Sequence, residues 1–304
     1  MTDSHAHISM QPISDDIENI LHDFTSKGGT KILNASYDLP SINQVILDKI
    51  SMSNIFPDLI LTSVGIHPEE FIPTTLTNHN DSPLNQKFDS FEKMRKALDE
   101  YNTLVNKNIK HISAIGETGL DYHYFINSDK EEDSKLTTDQ IEELIEIQKN
   151  SFIEHIEIAK KKSLPMTIHS RENFGENRCI KDVLNLLCTI GNGKIAASIH
   201  SYTGDIDLID EIIDLGYYIG FNAILTYKSG ENIRQIASKT PLERILLETD
   251  CPSLPLHIKG AQKYGTPSDI GYIASVLAEI KNISTEKLLS IVDENFNRIF
   301  CKTV

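Results

Sequence analysis

No stretch of this 304-residue chain approaches the roughly 18 consecutive apolar residues that a membrane span needs, so no membrane partner is expected. Basic residues are in the minority, 29 Lys+Arg against 44 Asp+Glu, for a formal net charge of −15. That balance argues against gripping nucleic acid on a general basic surface. It leaves room for a site where bound cations supply positive charge locally. Cysteine is scarce. Cys179, Cys188, Cys251 and Cys301 form no CxxC pair and no metal-finger spacing, which fits free thiols in a reducing compartment. The opening residues Met1–His5 show neither a basic n-region nor an apolar h-region, so no secretory leader is expected. The cytoplasm is the expected compartment, with the nucleus or a mitochondrion also open. A Gly-rich phosphate loop, a Ser-nucleophile elbow and a catalytic Cys–His signature are all lacking. So are short-period repeats and any Gly/Ser/Pro linker, and a single domain over 1–304 with no evident obligate protein partner is expected.

What is present is a recurring alternation. Short apolar, β-branched runs read Lys31–Ala35, Leu59–Val64, His111–Ile115, Leu164–Ile168, Lys194–Ile199, Gly216–Phe221 and Arg244–Leu247. With Met1–His5 as a short first strand they make eight. Near-continuous apolar strands suit a sheet buried on both faces. Between them lie amphipathic patterns, among them Asp16–Lys27, Asp89–Val105, Asp139–Lys161, Asp205–Leu215, Asp269–Lys281 and Thr285–Ile299. Thr138 and Asp205 stand where N-caps belong. Two polar stretches, Ile72–Asn85 and Ile126–Asp139, read as loops, the second a solvated insertion. Eight strands alternating with helices over this length predict an α/β fold, a (β/α)8 TIM barrel. A doubly wound open sheet is the competing architecture, weakened by the lack of a Gly-rich turn after the first strand.

The ionisable residues fall in a pattern. The predicted strands run into Asp3-Ser-His5-Ala-His7, Gly65-Ile-His67-Pro68, Gly116-Glu117-Thr-Gly-Leu-Asp121, His169-Ser-Arg171, His200-Ser-Tyr-Thr-Gly204 and Glu248-Thr-Asp250. Six of eight strands thus deliver a His, Glu or Asp at the carboxyl end, where the active sites of such barrels sit. In an extended segment His5 and His7 point the same way, so both imidazoles can reach one ion. Four histidines with two carboxylates exceed what one tetrahedral ion needs. The set matches two divalent ions about 3.5–4 Å apart, an arrangement suited to phosphoester displacement.

These motifs, with Ala114-Ile-Gly-Glu-Thr-Gly-Leu-Asp-Tyr122, Leu164-Pro-Met-Thr-Ile-His-Ser-Arg171, Gly220-Phe-Asn222, Leu246-Leu-Glu-Thr-Asp-Cys-Pro252 and Asn295-Phe-Asn-Arg-Ile-Phe300, resemble the TatD family of metal-dependent deoxyribonucleases nearly end to end. The resemblance implies a barrel with two divalent metal ions (Mg, Mn or Zn) that hydrolyses DNA, often as a 3′→5′ exonuclease. Single-stranded DNA or DNA 3′ ends would then be the partner. It implies one ion on His5, His7 and Asp250, a second on His169 and His200, and Glu117 bridging both. It also implies that Asp250 contacts the attacking water and that His67 lies beside the substrate phosphate. Lys259-Gly260 and Gly265-Thr-Pro267 stand where the family has Arg-Gly and Asn-Glu-Pro.

Asp250 is therefore expected to accept the proton of the attacking water, and Arg171 to clamp a phosphate oxygen through its planar fork. Arg171 could instead pair with a carboxylate such as Glu172. Tyr122 and Tyr202 are expected to stack on bases, and Lys228 to touch phosphate. Glu248 and Asp3 are expected behind the ligands rather than among them. His22, His79, His111, His155 and His257 read as structural or surface histidines. The alternative activity is hydrolysis of D-aminoacyl-tRNA or another ester or amide by the same metal centre.

Overall fold

A computed structural model describes residues 1–73, 88–126, 136–173, 175–258, 260 and 263–301. Eight parallel strands follow one another in chain order: β1 (Thr2–Ala6), β2 (Lys31–Ala35), β3 (Ile60–Val64), β4 (Ala114–Asp121), β5 (Met166–Arg171), β6 (Ala197–Ile199), β7 (Tyr218–Phe221) and β8 (Ile245–Leu247). The residues just past β8 close the ring against β1: Asp250 N–H donates to the His5 carbonyl at 2.9 Å, and His7 N–H to the Cys251 carbonyl at 2.8 Å. The predicted (β/α)8 barrel is the observed fold. Seven of the strands are buried along all or nearly all their length, as both-face packing demands. The polar residues of β1 are buried too, which signals a site rather than a core.

The helices are α1 (Ile17–Ser26), α2 (Leu39–Met52), α3 (Phe91–Asn108), a single turn α4 (His123–Ile126), α5 (Thr138–Lys162), α6 (Arg178–Thr189), α7 (Ile209–Asp214), α8 (Glu231–Lys239), α9 (Ile270–Lys281) and α10 (Thr285–Phe300). The N-cap of α5 is Thr137, not Thr138. Its hydroxyl takes the Gln140 N–H while the Gln140 side chain returns to the Thr137 N–H, a reciprocal pair that only this register permits. Helix α10 plugs the amino-terminal end of the barrel. Phe296 and Phe300 pack with Leu33, Leu61, Ala114, Tyr218 and Leu246, and Asn295 Nδ2 donates to the carbonyls of Leu242 and Ile245. The opposite end is left for chemistry. Among the described residues no helix is long and apolar enough to cross a membrane.

Strand β4 begins and ends later than the predicted His111–Ile115. Ile115 pairs with Met166 but Thr118 with Ile168, so three steps on β4 oppose two on β5, and the extra residue lies at Gly116-Glu117. A bulge of this kind re-aims a side chain. Gly116 and Gly119 have φ of +140° and +146°, and a Cβ on either would collide with the β5 backbone at Thr167 or His169. Only glycine lets β4 lie this close while turning Glu117 inward. A matching shift on β1, between Asp3 and Ala6, surrounds His5. Most of the expected insertion at 126–139 and of the loop at 72–85 lies outside the described residues, as do His79 and Lys259.

Candidate metal centre

At the carboxyl rim the strand ends bring five imidazoles and two carboxylates together. His5 Nε2 lies 3.2 Å from His7 Nε2 and 3.2 Å from Glu117 Oε2, and His7 Nε2 is 3.3 Å from the same oxygen. Asp250 Oδ1 approaches His7 Nε2 at 3.5 Å and His5 Nε2 at 3.9 Å. An ion with metal–nitrogen bonds of about 2.0–2.1 Å spaces its donors by about 3.0–3.4 Å, so this group fits a single cation. On the other side of Glu117, Oε1 faces His169 Nδ1 at 2.9 Å and His67 Nε2 at 3.2 Å. Its two oxygens thus serve two clusters, the arrangement a bridging carboxylate requires.

His200 stands between the clusters. Its Nε2 is 3.8 Å from both Glu117 Oε1 and Asp250 Oδ1, and its ring stacks on His5 with centroids 3.7 Å apart. Among the described residues the geometry allows three ligand groupings, His5–His200–Asp250, His5–His7–Glu117 and His67–Glu117–His169. His200 therefore packs closer to the His5 side than to His169, and His67 takes the place beside His169. One hydrogen bond separates His67 from the rest. Its Nδ1 accepts the Glu69 N–H at 3.2 Å, which leaves the proton on Nε2 and makes that atom a donor.

Each remaining imidazole is anchored through its far nitrogen. His5 Nδ1 meets Thr167 Oγ1 at 2.9 Å, and His7 Nδ1 donates to the Ala35 carbonyl at 2.9 Å. His200 Nδ1 faces Glu248 Oε1 at 3.0 Å, and His169 Nε2 faces Asp121 Oδ2 at 3.0 Å. Such partners fix ring orientation and raise ligand basicity. Glu248 is thus a supporting carboxylate, as expected, and a Cβ on Gly220 would strike it. Asp3 also stands behind the ligands, accepting from the Thr249 N–H at 3.0 Å and hydroxyl at 2.6 Å. Asp250 adopts φ +57°, a left-handed conformation that aims its carboxylate back over the barrel mouth.

The electrostatics are those of a cluster holding protons where cations would go. Burial works against a charged His7, but hydrogen bonds to Asp250 and Glu117 prevail and raise its pKa to about 10. His169 is likewise raised to about 10 despite burial, by Asp121 and Glu117, and His200 to about 9, by Glu248 and Asp250. His5 goes the other way, lowered by burial and by the neighbouring His200. Glu117 and Asp250 stay ionised in spite of burial because imidazoles surround them. Asp3, by contrast, is pushed up to about 8 by burial.

The cluster floors a cleft of about 630 Å³ lined also by Tyr37, Glu69, Glu70, Arg171, Ile224 and Leu254. Arg171 is the sole Arg or Lys among its described lining residues. Its Nη1 lies 3.4 Å from Glu69 Oε1 and 3.9 Å from Asp121 Oδ2, not against Glu172, which instead accepts from the N–H groups of Cys179 and Ile180 at the start of α6. Tyr122 and Tyr202 do not present faces to the cleft. They are 1% and 2% exposed, with hydroxyls bonded to Asp182 and the Asp205 carbonyl, so base stacking on them is corrected to core packing. Lys228 is exposed but is not among the cleft's lining residues. His155 is buried structure, His257 stacks on Tyr227, and His22 is exposed on α1, all as expected. Sequence reasoning gave no role to Asp121, Glu69, Tyr37 or Thr167. Asp121 alone had a signal, its place at the end of the strand that carries Glu117.

The chain is 27% identical to the Bacillus subtilis protein named "uncharacterized metal-dependent hydrolase YabD", over 98% of each chain. It is 26% identical to the similarly named YcfH of Escherichia coli K12, over 99% of this chain and 95% of that one. Its fold matches the crystal structure of YjjV, a TatD homologue of Escherichia coli, with a TM-score of 0.73 and 22% identity over 100% of this chain and 98% of that chain. A family profile described as "TatD related DNase" matches residues 2–301. The chain belongs to the TatD-related DNase family, whose named relatives are metal-dependent hydrolases.

Proposed function

We propose that this protein is a metal-dependent deoxyribonuclease that hydrolyses DNA phosphodiester bonds, as a 3′→5′ exonuclease on single-stranded DNA or 3′ ends. The observation that carries the reading is Glu117, whose two oxygens each face a separate group of imidazoles across a cleft mouth. In this reading His5, His7 and Asp250 would hold one divalent cation, His169 would hold the second together with His200, whose Nε2 stands 3.8 Å from both Glu117 and Asp250 between the two groups, and Glu117 would be shared. When bound, the cations lower the pKa of the attacking water and neutralise phosphoryl oxygens.

The chain's own groups supply the rest. The Asp250 side chain is 17% exposed against 4% for Glu117, so of these two carboxylates it is the more open to the cleft. Held ionised among imidazoles, it accepts the proton of the attacking water. His67 Nε2–H donates to a phosphoryl oxygen, and Arg171 binds a neighbouring phosphate. In this reading bound cations would offset the carboxylates Glu69, Glu70, Glu117 and Asp250 that line the cleft against a polyanion.

The test is cleavage of a 5′-labelled and a 3′-labelled single-stranded oligonucleotide with Mg or Mn, with and without EDTA. Stepwise shortening from the 3′ end, abolished by chelator, is the expected result. Chelator-insensitive cleavage would overturn the reading. Inert DNA beside hydrolysed D-aminoacyl-tRNA would replace the substrate but keep the metal centre.

A further inference from the structure

Helix α5 runs behind β4 and the segment that follows β3, and it buries two polar side chains completely, Gln148 and His155. Neither is a stray polar group in the core. His155 Nδ1 donates to the Ser151 carbonyl at 2.8 Å, so its Nε2 is free to accept the Ile66 N–H at 3.1 Å. Its ring stacks on Tyr101, 4.3 Å between centroids, and the Tyr101 hydroxyl donates to the Val64 carbonyl. His155 thus holds the main chain immediately before His67.

Gln148 stands two turns earlier on the same face. Its Oε1 accepts the Asp121 N–H at 2.9 Å. Its Nε2 donates to the Asp121 carbonyl at 3.2 Å and to the Pro68 carbonyl at 3.2 Å. Every one of these bonds goes to backbone, and that backbone belongs to two segments far apart in sequence. One carries His67, next to Pro68. The other carries Asp121, whose carboxylate faces His169 Nε2. His67 and His169 are the two imidazoles nearest Glu117 Oε1, at 3.2 and 2.9 Å against 3.8 Å for His200.

We propose that Gln148 is a positioning residue for one half of the metal centre: one amide sets the spacing between the His67 segment and the Asp121–His169 pair. The inference rests on the metal-centre reading above. A purely structural role would hold helix to barrel without favouring either half of the centre. A positioning role predicts a selective defect at the His169 side.

The experiment is calorimetric titration of the full chain with Mn, for wild type, Gln148→Leu and Leu144→Ala. Leu144 is buried one turn away on α5 and touches neither segment through a hydrogen bond, so its variant reports simple destabilisation of the helix. Wild type is expected to bind two ions. Gln148→Leu should keep the affinity of the first and weaken the second by roughly 10- to 100-fold, the usual effect of losing a ligand's support. Leu144→Ala should lower Tm and leave both affinities in place. Two ions bound by Gln148→Leu as by wild type, or equal weakening in Leu144→Ala at similar Tm loss, overturns the inference alone. A wild type that binds no metal overturns the metal-centre reading and this inference with it. If Gln148→Leu does not fold, amide exchange on wild type decides: the second equivalent of Mg should slow the Asp121 amide, which donates to Gln148, more than the Ile66 amide, which donates to His155, and no change at Asp121, or equal slowing of both, contradicts the proposal.

Discussion

Asp121 Oδ2 sits 3.0 Å from His169 Nε2, on the far side of the ring from Glu117, which His169 meets through Nδ1 at 2.9 Å. The imidazole is therefore clamped between two carboxylates, one buried behind it and one at the centre. Replacing Asp121 by Ala frees the ring and should cost roughly 10- to 100-fold in metal affinity or activity. Asp121→Asn keeps an acceptor for the Nε2 proton and should lose less. Metal titration and initial rates on an oligonucleotide compare the two. Equal loss in both variants would mean that charge, not orientation, is what Asp121 supplies.

Glu117 faces both groups of imidazoles, so its removal should disable both at once. Glu117→Ala is expected to lose metal-dependent cleavage entirely while retaining its circular dichroism spectrum and a cooperative melt. Full activity in that variant would remove the mechanism.

Protons and cations compete for the same nitrogens. His7 and His169 hold protons to about pH 10, and His200 to about 9, against 6.5 for a free imidazole. Ligands must be deprotonated, so at pH 7 metal uptake releases protons and affinity should rise with pH. Calorimetry in buffers of differing ionisation enthalpy measures the release directly. The stability sign follows from the same shifts. Folded pKa values above the unfolded ones stabilise the metal-free protein fully below about pH 6.5, and this contribution is lost as pH rises through 9–10. The Tm of chelator-treated protein should fall across that window, and a flat profile would contradict the charged cluster.

Arg171 is held by Glu69, whose Oε1 also accepts the Tyr124 hydroxyl at 2.9 Å. An incoming phosphate must compete with that carboxylate. Arg171→Ala should raise KM for an oligonucleotide roughly 10-fold or more, as expected for loss of a charged hydrogen bond, with a smaller change in kcat. Glu69→Gln should lower KM. Unchanged KM in both would place the phosphate elsewhere.

The barrel and the cluster at its rim were legible because apolar runs ended repeatedly in His, Glu or Asp, a pattern that survives any error in strand length. The ends of β4 were not legible. Gly116, Thr118 and Gly119 have the composition of a loop, and only the close approach of the β5 backbone explains why they form a strand. Helices α2, α6 and α8 were not singled out. The start of α2 is set by an Asp38–Ser41 exchange of backbone bonds in place of the usual Glu at the third position. Tyr122 and Tyr202 misled because nearness in sequence to a ligand says nothing of which way a ring points. Gln148 left no trace, since a polar residue on the buried face of a helix looks like a break in its apolar stripe.

The central claim is that two cations share Glu117 at one rim of the barrel, and anomalous diffraction from crystals grown with Mn tests it most directly. The account predicts two peaks, both within bonding distance of Glu117, one beside His5 and His7 and the other beside His169. A single peak remote from Glu117, or none at saturating Mn, would contradict it.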